Sequence, residues 1–268
     1  MSTATLPEER HGGRRLPGVL ARLHRGQPAL AWFAAAMLLL ALPTLLALSL
    51  DPRTVHGVAN WAKPLKFMVS TALFAATMAW AIGLLPEAVR RSRTIVALAW
   101  LAVGTASFEV GYISLQAALG SPSHYNTADA FHAAMFGLMG IAAVVLVSTQ
   151  AVLARALLRH VRPLTPLVLG LAIGLVLTCV LSILSGFLLG GLRPPAGSGL
   201  PLFGWHAGGG DLRPAHFLAV HAQQLLPLAG LAVQRLLPRR PAAALCAFTA
   251  AYVAGWAWLV VIGLRPPG

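Results

Sequence analysis

A chain of 268 residues that is 57% hydrophobic and 10% charged, with a mean hydropathy of +0.75, carries more apolar side chain than one water-soluble core can enclose. Its formal charge of +13 invites a nucleic-acid reading, but the arginines fall in short runs between apolar stretches, as in a polytopic membrane protein. Soluble and nucleic-acid-binding classes are therefore set aside, and the predicted fold is all-α: a membrane helix bundle of about seven transmembrane helices, N-in and C-out.

In chain order, residues 1–27 form a basic cytoplasmic tail with Arg10, Arg14, Arg15, Arg22 and Arg25. No apolar region precedes a small-residue cleavage site, so no cleavable signal peptide is predicted. Within this tail, LPGVLARLHR reads either as a short basic amphipathic turn on anionic lipid or as part of a basic tail that sets topology. A spanning helix needs ~20 apolar residues, and such stretches run over 28–50, 64–85, 94–118, 129–154, 164–190, 214–237 and 242–264. One transmembrane domain, 28–264, thus accounts for nearly the whole chain, with 265–268 as a short C-terminal tail. Cys179 and Cys246 fall inside the fifth and seventh stretches and read as packing residues.

Orientation follows from charge. With a cytoplasmic N-terminus, the tail and the alternate connections place 14 of the 20 Lys and Arg residues inside, as the positive-inside rule favours. The three connections on the other side are the polar ones: DPRTVHGVANWAKPLKF, GSPSHYNTAD and RPPAGSGLPLFGWHAGGGDLRP. Helical periodicity then groups the polar residues of the flanking spans. Lys63, Lys66, Ser70 and Thr77 make one stripe, and Thr105, Glu109, Tyr112 and Gln116 another. Asp129 and His132 stand one turn apart, and Asp211 reads as the N-cap of the sixth span. Glu109 is ~14 Å and His221 ~11 Å from the outer end of their helices at 1.5 Å per residue.

An intramembrane carboxylate such as Glu109 is costly and usually faces a partner or a polar pathway. The candidate ligand-binding residues are Lys63, Lys66, Glu109, Gln116, His124, Asn126, Asp129, Asp211, Arg213 and Gln224, around an outward-facing polar cavity. Lys63 can alternatively snorkel to headgroups, Trp61 and Tyr125 can belong to an aromatic belt, and His124 can be solvated in its loop. Gly208, Gly209 and Gly210 read as a flexible turn or as backbone donors for an anion. For a divalent metal or a haem b, the candidate ligands are His132, His216 and His221. His216 and His221 lie ~140° apart around a helix and so do not form a chelating pair alone. The zinc-dependent seven-span hydrolases that include alkaline ceramidases differ, because they carry His-x-x-x-His on the last span and this chain has no histidine there.

The blocks Trp61-Ala-Lys63-Pro64-Leu-Lys66-Phe67, Ser123-His124-Tyr125-Asn126 and Gly209-Gly210-Asp211-Leu-Arg213 with His216-Phe217 resemble those of a widespread family of uncharacterised bacterial multi-pass membrane proteins. That resemblance implies a bacterial cytoplasmic membrane and one constellation built from the three outward blocks, and it carries no activity. The expected partners are the lipid bilayer and a small polar or anionic ligand from the extracytoplasmic side, with no nucleic acid. The alternative is a permease or membrane sensor that uses the same groups as a substrate path.

Overall fold

The computed structural model describes residues 18–195, 199–200, 203–206 and 208–267. The elements are α1 (Val19–Gly26), α2 (Pro28–Leu50), β1 (Thr54–Val55), β2 (Val58–Ala59), α3 (Ala62–Gly83), α4 (Glu87–Arg90), α5 (Arg93–Ala118), α6 (Ala130–His160), α7 (Pro166–Gly191), α8 (Arg213–Leu236) and α9 (Pro241–Gly263). Seven of these helices, α2, α3 and α5–α9, are long and apolar enough to cross a membrane. The chain is an all-α, multi-pass membrane bundle.

Most span ends agree with the sequence pattern to within two residues, because Ser92, Asp129 and Thr165 cap α5, α6 and α7 with side-chain acceptors. One differs: α6 runs to His160, six residues past the expected end. Ala, Leu and Arg are strong helix formers, and Arg159 and His160 in the last turn suit the negative end of the helix dipole. Thirty-one residues span ~46 Å, so the last turns of α6 extend beyond a ~30 Å hydrocarbon layer. Of the predicted basic tail, residues 1–17 lie outside the described residues, and 19–26 form a helix, α1, whose Leu23 packs against the core.

The main apolar core fills the half of the bundle that carries the arginine-rich turns. Leu30, Phe33 and Met37 of α2, Met78 and Ile82 of α3, Ile95 and Leu98 of α5, Leu153 and Leu157 of α6, and Leu171 and Leu175 of α7 meet there. The most extensive seam joins α7 to α8. A Cβ on Gly170 would lie 2.4 Å from the Leu226 carbonyl oxygen, and one on Gly174 would lie 2.5 Å from that of Ala222. Small residues let helix backbones approach this closely where lipid supplies no hydrophobic force between helices. Within α8, Pro227 cannot donate to the carbonyl of Gln223 one turn earlier.

At the opposite end three connections gather: the β1–β2 hairpin between α2 and α3, the 119–129 loop between α5 and α6, and the loop between α7 and α8. The hairpin is an antiparallel pair with Thr54 opposite Ala59. Its neck is fixed by Asp51, which accepts from Arg53 Nε at 2.9 Å and from Trp61 Nε1 at 2.8 Å. The Arg53 side chain is the chief reason that this carboxyl is held far below the usual carboxylate range.

Candidate functional site

Lys63 and Lys66 face the same way because positions three apart share a helix face. Lys63 Nζ donates to Ser123 Oγ at 2.9 Å, and Ser123 Oγ lies 3.3 Å from His124 Nδ1. Burial, reinforced by Lys63 and His216, pushes His124 well below the ordinary imidazole value. A neutral imidazole accepts at one ring nitrogen, so ammonium, hydroxyl and imidazole form a directional chain. The ring sits beside Phe67 and Phe136, at centroid distances of 6.2 and 6.0 Å. The loop histidine is therefore half-buried between rings rather than solvated, and Lys63 is turned inward rather than toward headgroups.

Glu109 lies opposite, in the electrostatic field of Lys63. The stripe expected on α5 is real and buried: Glu109 is 5% exposed, Tyr112 5% and Gln116 2%. Thr105 is satisfied by the Leu101 carbonyl oxygen at 2.8 Å. The three residues above it are not: Glu109 Oε1, Tyr112 OH and Gln116 Oε1 have no hydrogen-bond partner among the described residues. Asn60, which donates from Nδ2 to the Ala117 carbonyl oxygen, likewise leaves Oδ1 unpartnered. Buried polar atoms are nearly always paired, so three such groups in a column on α5, with Asn60 beside its outer end, call for a missing partner.

The third connection folds over this cluster. Lys66 Nζ donates to the Phe203 carbonyl oxygen at 3.0 Å, and Arg213 NH2 donates to that of Gly204 at 2.6 Å. Asp211, fully buried, accepts from His206 N at 2.8 Å, Arg213 N at 2.9 Å, and Arg213 Nε and NH2 at 2.8 and 2.7 Å. Burial pulls its carboxyl upward, but the bonds from Arg213 and His206 win and hold it below the ordinary range. Asp211 is thus a loop clamp and not the N-cap, which is Leu212. The Gly210 N–H, offered by the sequence as an anion donor, goes to the Arg265 carbonyl oxygen at 2.7 Å.

Other predicted residues hold the frame. Asn126 closes its own loop, donating to Ser121 Oγ and Pro122 O and accepting from Ala128 N. Tyr125, at φ +57°, donates its hydroxyl to the Leu189 carbonyl oxygen, and Arg193 donates to its backbone oxygen at 3.1 Å. Burial pushes its phenol up to about 12. Trp61 and Tyr125 are therefore loop fasteners before they are belt residues. Asp129 caps α6 and binds His132 Nδ1 at 2.7 Å.

Three further groups form around residues already named from the sequence, His216, His221, Gln224 and Thr77, whose cross-helix pairings carry no pattern of their own. His216 Nδ1 lies 3.0 Å from Ser185 Oγ on α7. His221 Nδ1 lies 3.2 Å from Gln224 Oε1, and Gln224 Nε2 donates to Thr77 Oγ1 at 3.0 Å, which carries the polar file deeper between α8 and α3. Phe203, Trp205, Phe217 and His221 stack in succession, with centroid spacings of 4.6, 5.2 and 4.2 Å. The signal available for this last group was the run of aromatics and histidines in the third loop and the start of α8.

The metal and haem expectations fare differently. Among the described residues no group of three or more His, Cys, Asp and Glu side chains is placed to hold a metal ion. His132, His216 and His221 each turn Nδ1 to a local partner, Asp129, Ser185 and Gln224, which leaves Nε2 as the ring nitrogen for any ligand to the expected pairing. A cavity of about 580 Å³ opens elsewhere, between α7 and α9, lined by Ile173, Cys246, Thr249 and Val253. Comparisons with protein-family models, with curated proteins and with solved structures return no match.

Proposed function

We propose that this is a multi-pass protein of a bacterial cytoplasmic membrane, oriented N-in and C-out, whose extracytoplasmic end binds a small ligand that is both hydroxylated and anionic. The observation that carries the reading is the unpartnered column on α5. Glu109 Oε1 and Gln116 Oε1 are acceptors without donors, and a hydroxyl-bearing ligand supplies donors. Lys63 and Lys66 make no ion pair within 4 Å among the described residues, and an anionic group supplies that counter-charge. An organic ligand accounts for both features, which a metal or haem held by the dispersed histidines does not.

Native mass spectrometry of gently extracted protein tests this. A bound small-molecule mass is expected on the wild type and absent from Glu109→Gln and Lys63→Met; identical spectra for all three refute the reading. The orientation has its own check, since a periplasm-active reporter fused to the C-terminus is expected to be active and a cytoplasm-active one silent. The permease alternative draws on the His221–Gln224–Thr77 file, and it requires that Thr77→Val abolish uptake into proteoliposomes while binding persists.

A further inference from the structure

The ligand's route, and with it its chemical class, can be read from the flank of the site. α3 and α8 approach through side chains rather than along a packed seam. Two bonds join them or their adjoining loop: Lys66 to the Phe203 carbonyl at the upper end and Gln224 to Thr77 at the lower end. Lys66 and Thr77 are eleven residues apart, or ~16 Å along the helix. Between those two ties, α3 turns Val69, Ser70 and Leu73 to the same side and α8 turns Phe217 and His221, with Leu225 and Leu228 continuing that side below the lower tie. Val69, Leu73, Phe217, Leu225 and Leu228 are exposed, which in a membrane means lipid-facing, while Ser70 and His221 are half-buried. The site is therefore roofed toward water by its loops and slotted toward the bilayer.

Charge at the upper rim favours one occupant. Lys66 lies in the field of Arg213, and neither it nor Lys63 forms an ion pair among the described residues. Arg213 turns Nε and NH2 to Asp211 and Gly204, which leaves NH1 for another acceptor. Two cations beside a lipid-facing slot suit a phosphate, the acceptor that guanidinium and ammonium groups bind most readily. The unpartnered acceptors on α5, deeper in the same cluster, ask for hydroxyl donors.

Resting on the binding site proposed above, we infer that its ligand is an anionic phospholipid with a hydroxylated headgroup, entering sideways between α3 and α8. Its phosphate meets Lys66 and Arg213, its head hydroxyls reach toward Glu109 and Gln116, and its acyl chains remain in the slot beside Val69, Leu73 and Phe217. Free glycerol phosphate shares the headgroup chemistry but lacks the chains, so the two sources can be told apart.

The full chain in nanodiscs of mixed phosphatidylglycerol and phosphatidylcholine, followed by native mass spectrometry, makes the test. One phosphatidylglycerol per chain is expected to survive, with phosphatidylcholine lost. Retention is expected to fall about tenfold in Lys66→Met and to persist in Lys66→Arg, as for loss of one charge-assisted contact. Ser70→Trp, which fills the slot while removing neither cation, is expected to lose the lipid as well, its thermal midpoint showing that it still folds. Equal retention of the two lipids, or retention indifferent to Ser70→Trp, overturns the inference. Binding of free glycerol phosphate, lost in Glu109→Gln but unaffected by Ser70→Trp, also overturns it, and leaves the site of the preceding section standing.

Discussion

The two halves of this bundle are built on opposite principles. At the arginine-rich end, five helices share an apolar core in which Met78, Ile82, Leu153 and Leu171 are fully buried, and α7 and α8 touch nearly backbone to backbone through Gly170 and Gly174. At the polar end, helices are held apart by charged and hydrogen-bonding side chains, and the loops are tied down by bonds to backbone carbonyls. Dispersion and close approach stabilise the first half. In the second, some polar groups are fully paired and others are left waiting, and that division separates framework from site.

The sharpest way to break the tight half is Gly174→Leu. Its Cβ would lie 2.5 Å from the Ala222 carbonyl oxygen, a contact with backbone that cannot swing aside. The cost is expected at or above the ~3 kcal/mol upper end of overpacking. In detergent, the variant should lose its monodisperse gel-filtration peak, whereas Gly111→Leu on α5, with open space where its Cβ would sit, should retain it.

Within the polar half, Asp211→Ala is expected to be the most damaging change. It removes four accepted bonds and strands the Arg213 guanidinium. Breaking a fully buried pair costs ~3–5 kcal/mol; because the Arg213 side chain is 31% exposed, about 2–3 kcal/mol is expected after allowing for solvent. A lowered thermal midpoint in nanodiscs and faster proteolysis of the α7–α8 loop would show it. An unchanged midpoint would mean that the clamp contributes nothing.

Tyr112→Phe should act in the opposite direction. The hydroxyl it deletes is buried and unpartnered, so the apo protein should be unaffected or stabilised by up to ~1 kcal/mol, while retention of the bound ligand falls. A destabilised apo protein would show that Tyr112 belongs with the framework, and the contrast between paired and waiting groups would fail at that position.

How much of this was legible follows from the kind of interaction. The seven spans and the Glu109–Tyr112–Gln116 stripe were readable because hydropathy and a 3.6-residue period are written in side chains. The roof over the site was not, because Lys66, Arg213 and Tyr125 bind the carbonyls of Phe203, Gly204 and Leu189, and a carbonyl has no residue-type signature. The one-turn spacing of Asp129 and His132 was legible too, and there Asp129 both caps α6 at the His132 N–H and binds its ring. The seam of Gly170 and Gly174 is written as a small-residue repeat at i and i+4, in a span whose uniform apolarity gives that repeat no contrast.

The smallest predicted effect concerns pH, and it sharpens the comparison at one residue. His124 sits outside the spans, half-buried beside Lys63 and His216, and its folded-state value lies well below the ordinary 6.5. Below 6.5 the unfolded chain binds this proton and the folded chain does not, so stability falls with decreasing pH until the folded-state value is passed. Above 6.5 both states are neutral at this group, and no dependence on it is expected. His124→Gln keeps an acceptor for the Ser123 hydroxyl but cannot titrate, so it should flatten the thermal midpoint profile on the acid side of 6.5 and leave it unchanged on the alkaline side. If His124→Gln leaves the acid limb unchanged, the chain from Lys63 through Ser123 does not hold a neutral imidazole, and His124 belongs with the framework rather than with the site.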